Sequence, residues 1–154
     1  MHKRRQIEYE ELLVEKLGAE DRQLILSAQE AAKAAYAPYS GFPVGVAVRL
    51  RDGGILVANN QENAAYPSGL CAERVLLFYL GSQSLISEVD TLAVYAPQAN
   101  MPIMPCGACR QVIYEYERVS AGSWKFLFAG ACPFVYRFIG AENLLPFPFV
   151  WKPF

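Results

Sequence analysis

The chain has 154 residues, enough for one domain with its own hydrophobic core. Apolar residues make up 53% and charged residues only 19%, a thin charged share for the surface of a small monomer, so part of that surface is expected to lie against further copies of the chain. The net charge of -1 builds no broad positive field for nucleic acid, and without a run of about 18 apolar residues no membrane span is expected.

Residues 1–17 are charged and read as the start of a helix or as a loose arm, Lys3, Arg4 and Arg5 being followed at once by Glu8, Glu10 and Glu11. They lack the apolar stretch of a secretion signal, so a reducing, cytoplasmic setting with free or metal-bound thiols is expected. From Asp21 to Tyr36, Leu24, Ile25, Ala28, Ala31, Ala32 and Ala35 recur at helical spacing, and the helix should stop before Pro38. Residues 36–41 read as a loop. Val44 to Leu50 and Ile55 to Asn59 read as strands joined by the hairpin turn Asp52-Gly53-Gly54. Asn60 to Leu70 is polar, carries Pro67 and Gly69, and has the make-up of a working loop.

Cys71 to Tyr79 predicts a helix with Val75, Leu76 and Phe78 to bury. A strand over Thr91 to Ala96, a proline-punctuated loop over Ala99 to Pro105 and a helix over Gly107 to Arg118 follow. Two last strands, Trp124 to Ala129 and Phe134 to Ile139, flank Gly130-Ala131-Cys132-Pro133. The order α-β-β-α-β-α-β-β predicts one three-layer α/β/α domain over 1–154. Its sheet should be mixed and five-stranded with helices on both faces, an antiparallel opening hairpin and parallel pairing among the later strands. Residues 1–20 form an arm, and residues 141–154 an aromatic, proline-rich tail at subunit contacts.

The chemistry sits in Cys71-Ala72-Glu73-Arg74 and Pro105-Cys106-Gly107-Ala108-Cys109-Arg110-Gln111. The spacing C-x34-C-x2-C-x22-C contains a tight C-x2-C that suits a metal at least as well as a disulfide. Cys106 and Cys109 share one face of a first helical turn, where free N–H groups and the positive dipole end stabilise thiolates, and Cys71 occupies a similar place on the preceding helix. Cys132 sits in a turn and reads as a small buried thiol, and His2 lies at a frayed end. Three thiolates leave a fourth position open for water, which describes a hydrolytic Zn2+ site better than a structural one. Arg74 and Arg110 are placed to offset thiolate charge by hydrogen bonding to sulfur. Glu73 can take a proton from the water, pass it to a ring nitrogen and later to a departing amine, which is what hydrolytic removal of an amino group from an aromatic ring requires.

At these residues the chain resembles cytidine deaminase in its small homotetrameric, three-cysteine zinc form. Tyr39-Ser40-Gly41-Phe42-Pro43-Val44-Gly45, Asn60-Gln61-Glu62-Asn63-Ala64-Ala65-Tyr66-Pro67, the two cysteine segments and Leu144-Leu145-Pro146 carry the likeness over roughly residues 36–149. The resemblance implies that Cys71, Cys106 and Cys109 hold zinc, that Glu73 is the proton shuttle and that Arg74 tempers thiolate charge. It implies that Phe42 packs on the pyrimidine and that Asn60 and Glu62 grip the ribose 3'-hydroxyl. The backbone around Ala72 and Cys106 would face the amide edge and amine of the base. Tyr66, with Ala64 and Ala65, falls in a loop contributing across subunits, and Phe149 matches an aromatic reaching a neighbouring subunit's site, with Phe147 and Phe154 as rivals. The implied reaction converts cytidine and deoxycytidine to uridine and deoxyuridine with release of ammonia, a step of pyrimidine salvage. Gln61 departs from the branched apolar residue common between the paired Asn and Glu. A deaminase of another amino-heterocycle such as blasticidin S, and a zinc protein without turnover, are the competing readings.

Overall fold

A computed structural model describes residues 1–151; Phe154 lies outside the described residues. The elements are β1 (Glu10–Leu13), α1 (Ala19–Ala32), β2 (Gly45–Leu50), β3 (Ile55–Asn59), α2 (Ala72–Ser82), β4 (Val89–Ala96), α3 (Gly107–Arg118), β5 (Lys125–Gly130) and β6 (Phe134–Ile139). They build one sheet in the order β1-β6-β5-β4-β2-β3.

The side-chain period of two decides what lies on each face. Val46, Val48, Leu92, Val94, Phe126 and Phe128 point to the side covered by α2 and α3, where they meet Leu76, Leu80 and Ile113. Their neighbours Ala47, Ala93, Leu127 and Ala129 point to the other side and meet Leu24, Ile25 and Ala28 of α1. The expected three layers are therefore present.

Small residues let α1 lie close to the sheet. A Cβ on Gly45 would collide with the carbonyl oxygen of Ala28 and come within 2.6 Å of the Ala32 nitrogen. Both are helix backbone and cannot swing away. Gly45→Ala is expected to cost stability at the upper end of about 1–3 kcal/mol, the usual penalty for overpacking, read as a lower urea midpoint with an unchanged slope.

Three expectations are corrected. The sheet has six strands, not five, because part of the arm pairs as β1 with the open edge of β6, Glu10 opposite Arg137 and Leu13 opposite Phe134. Arg137 Nε donates to Glu10 Oε2 at 2.6 Å, and Tyr9 packs on Tyr136 and Phe138 with centroids 5.3 Å away in each case. Nothing periodic in Glu10-Glu11-Leu12-Leu13 announces a strand; the unpaired edge of β6 supplies the reason.

Among the strands of the described residues, parallel pairing is limited to β4 with β5, whereas β5 and β6 run antiparallel. The connection through residues 131–133 is far too short for a crossover. Helix α1 ends at Ala32 rather than Tyr36. Residues 33–35 tighten into i→i−3 bonds, and the Tyr36 backbone pairs instead with Asn60 O and the Glu62 N–H. That pairing ties the loop before β2 to the loop after β3.

A charged row closes the far end of the strands. Arg49, Thr91 and Lys125 stand side by side in register. Buried Asp21 of α1 takes Lys125 Nζ at 2.8 Å and Arg49 at 3.3 Å, so its charge is paired on both sides. The functional chemistry gathers at the opposite end, where β2 begins, β4 ends, and α2 and α3 start.

Candidate active site

Helices α2 and α3 are each capped at the N-terminus by a cysteine, Cys71 and Cys106, and Cys106 Sγ accepts from the Cys109 N–H at 3.5 Å. The sulfurs stand 3.8 Å apart for Cys71 and Cys106 and 3.4 Å for Cys106 and Cys109, and all three lie within 4.8 Å of one another. Thiolates at ~2.3 Å from a tetrahedral zinc are about 3.8 Å apart, so the trio stands close to the spacing that ion requires. Cys109 is buried, Cys71 half-buried and Cys106 exposed, which leaves one side of the trio facing a cavity.

The electrostatics also call for a cation. The Cys71 thiol is drawn down to about 5, first by its hydrogen bond with Cys109 and then by Arg74 and Cys106, against the opposing effect of burial. Cys109 is pushed up by that same contact with Cys71 and by burial. The Cys71 thiolate forms readily, while Cys109 resists until positive charge sits beside it.

Arg74 Nη2 lies 3.9 Å from Cys71 Sγ and donates to it, while Arg74 Nε is buried with no partner among the described residues. Arg110 does not reach sulfur, contrary to expectation. Its Nε donates to Pro105 O at 2.8 Å and its Nη1 to Leu144 O at 3.0 Å, so it fixes the carbonyl just before Cys106 and ties it to the tail. Cys132 stays outside the trio, its thiol donating to Phe134 O.

Glu73 is only 4% exposed in the first turn of α2. Burial raises it to about 7, with the Cys71 thiolate adding to the rise, while its own backbone N–H, Cys109 and Arg74 pull the other way. It lines a cavity of about 270 Å³ together with Ala72, Cys71, Cys106, Phe42, Ile103 and Met104. A wider cavity of about 450 Å³ adjoins it, lined by Tyr39, Tyr66, Gln61 and Arg74, and the two share Ser40, Asn60, Glu62 and Cys71 along their common border.

Asn60 is buried at that border. Its Oδ1 accepts from Val44 N at 2.8 Å and its Nδ2 donates to Phe42 O at 3.0 Å, which sets the Phe42 ring in the wall of the smaller cavity. Glu62 accepts from Tyr39 N at 2.9 Å, from Ser40 N at 3.2 Å and from the Ser40 hydroxyl. The Ser40 hydroxyl is the foremost cause holding its carboxyl below the usual carboxylate range.

Tyr66, 74% exposed, sits edge-on to Tyr39 at 5.9 Å on the rim of the wider cavity. Phe149 is 68% exposed and lines neither cavity of its own chain. Its backbone is clamped to α3 by Gln111, whose side-chain amide donates to Phe149 O and accepts from Phe149 N, both at 2.9 Å. Phe147 lies under the Arg5 guanidinium at 5.7 Å. Sequence reasoning assigned no part to Ser40, Ile103, Met104 or Gln111. Ser40 lies within the segment from Tyr39 to Gly45, and a hydroxyl just before a turn glycine is its one signal; Ile103 and Met104 carry none.

A cysteine trio with an open side and a buried carboxylate beside it, at the helix N-termini of a three-layer α/β/α fold, defines a hydrolytic zinc enzyme. The family model for the cytidine and deoxycytidylate deaminase zinc-binding region matches residues 19–122, which include the three cysteines and Glu73. The chain belongs to that family. The cytidine deaminase of Halalkalibacterium halodurans is 44% identical over 96 residues, 62% of this chain and 71% of the relative. That of Sporosarcina psychrophila is 46% identical over 93 residues, 60% and 67% respectively. Among solved structures, the Burkholderia pseudomallei cytidine deaminase superposes with a TM-score of 0.74 at 37% identity, covering 82% of this chain and 97% of that one.

Proposed function

We propose that this protein is a zinc-dependent cytidine deaminase, converting cytidine and deoxycytidine to uridine and deoxyuridine with release of ammonia in pyrimidine salvage. The observation that carries the reading is the placement of buried Glu73 beside three convergent thiols at the floor of a base-sized cavity. When bound, Zn2+ supplies the Lewis acidity that makes water a nucleophile near neutral pH. Cys71, Cys106 and Cys109 would hold it.

Glu73 takes the proton of the attacking water and gives it to N3 of the ring, which opens C4 to attack. It then takes the remaining proton of the oxygen added at C4 and carries it to the amine, which leaves as ammonia as the C4 carbonyl forms. Burial serves this role, because a carboxyl that gives up and regains its proton with ease near neutrality suits a shuttle. Arg74, donating to the Cys71 sulfur, draws off thiolate charge that would blunt the ion. Phe42 packs on the pyrimidine face, the N-terminal backbone of α2 at Ala72 meets the amide edge, and Asn60 and Glu62 take the ribose. A carboxylate among the sugar contacts disfavours a bare base, which would leave it unpaired.

Among the described residues no helix is long and apolar enough to cross a membrane. The reading includes a cytoplasmic homotetramer with shared sites and no nucleic-acid partner. Support for sharing comes from Tyr66 and Phe149, aromatic side chains presented outward from the pocket rim and from a segment clamped to the zinc-binding helix. Phe149→Ala is expected to lower kcat/KM by about tenfold, the worth of one lost aromatic contact, while the chain stays folded. Kinetics and light-scattering mass on the same sample check it, and a fully active monomer would remove the shared site.

The deciding experiment is an ultraviolet assay on cytidine, deoxycytidine, cytosine, blasticidin S, adenosine and guanine, with zinc content measured on the same preparation. Turnover of the two cytidine nucleosides by zinc-loaded protein is expected. Turnover of another substrate alone, or none with zinc in place, would overturn the reading.

A further inference from the structure

We propose that Ser40 is a positioning residue for the sugar of the substrate, its hydroxyl turning the Glu62 carboxylate so that one acceptor site faces the ribose. This deepens the reading of the site as that of a cytidine deaminase with Glu62 toward the ribose, and rests on it.

An ionised carboxylate offers about four acceptor sites. Three are filled among the described residues: two on Oε2 by the Tyr39 and Ser40 N–H groups, and one on Oε1 by the Ser40 hydroxyl. One site remains, on Oε1, enough for a single hydroxyl of a ligand. The backbone donors hold Oε2 alone, so the angle at which Oε1 faces the cavity depends on the Ser40 side chain.

The hydroxyl is itself aimed. It accepts from the Phe42 N–H at 3.0 Å, which directs its own proton toward Glu62. The turn between the two residues is permitted by Gly41 at φ +64°, whose carbonyl takes Gln98 Nε2 at 2.6 Å and whose N–H bonds Ala37 O at 3.0 Å. Ser40 thus joins the acceptor for the sugar to the aromatic wall for the base, and the two halves of a nucleoside meet groups set in one frame.

Ser40 is exposed, so Ser40→Ala removes a hydroxyl without opening the core. It should raise KM for cytidine about fivefold, the worth of one net hydrogen bond, with kcat little changed. 3'-Deoxycytidine, which brings no hydroxyl to Oε1, should lose almost nothing. Ser40→Thr keeps the hydroxyl and should restore the cytidine value.

The pH profile gives a readout that a merely structural role would not move. A carboxylate whose pKa is depressed contributes binding that is present above that value and lost as pH falls through it. With the Ser40 bond gone, Glu62 returns toward its ordinary range, so the acid limb of the ratio of kcat/KM for cytidine to that for 3'-deoxycytidine, in which the shared dependence on Glu73 cancels, should move to higher pH.

The experiment measures cytidine and 3'-deoxycytidine on the zinc-loaded wild type, S40A, S40T and E62Q across pH. A selective cytidine loss in S40A that S40T rescues, with the shifted acid limb, supports the proposal. Equal losses on both substrates, or no rescue, overturn it. Selectivity lost in E62Q but kept in S40A overturns the role of Ser40 alone. Unaltered selectivity in E62Q overturns the role given to Glu62 and that of Ser40 with it, and no turnover by the wild type overturns the functional reading beneath both.

Discussion

Glu73→Gln is expected to keep zinc and fold while kcat falls by at least about 10²–10⁴-fold, the range for removing a positioned general acid–base group. The two side chains have nearly the same shape, so the floor of the cavity stays filled. The amide has no site to take the proton of the attacking water, and it cannot pass one to N3 or to the leaving amine. Buried as Glu73 is, bulk water has poor access to take over both transfers. The substitution also removes an ionisable group from a dry site, so the chain should be no less stable. Ultraviolet turnover, zinc stoichiometry and thermal melting on one preparation check this. A near-normal kcat would mean that another group moves the proton.

Cys106→Ala should abolish zinc binding, and activity with it. Cys106 suits the test better than Cys109, because it is exposed and its loss opens no cavity in the core, whereas Cys109 is buried. Two thiolates remain, which leaves zinc short of the ligand set that competes with buffer and thiols. The ion would join the N-termini of α2 and α3, so its loss also removes stability. With free zinc at about 100 times Kd the wild type gains about 2.7 kcal/mol that the variant lacks. Expected, then, are a fall from one zinc per chain to almost none and a lower melting temperature seen only when zinc is supplied. Unchanged metal content would show that Cys106 is not a ligand.

Much of the fold was legible because its signals are local. Helix α3 and strands β3 and β6 have the expected limits, each bounded by a turn residue or cap adjacent in sequence. Errors arose where a distant segment decided the outcome. Tyr36 left the helix because Asn60 and Glu62 engage its backbone, and β1 formed because β6 had an open edge. Arg110 stood next to a cysteine in sequence, yet its guanidinium turned to the carbonyls of Pro105 and Leu144, stronger acceptors than a thiol and within reach.

The sequence by itself determined the chemistry of the site: cysteines three apart at a helix start, a carboxylate two residues after a third cysteine, and apolar periods that set which residues are buried. These depend only on neighbours along the chain, whose geometry the backbone dictates. The tertiary structure decided which distant groups meet. It brought Cys71 within 3.8 Å of Cys106, laid the Ser40 hydroxyl on Glu62, and paired Glu10 with Arg137. Such contacts are chosen by packing and by the closing of long loops, where many partners compete and a small difference in free energy selects one.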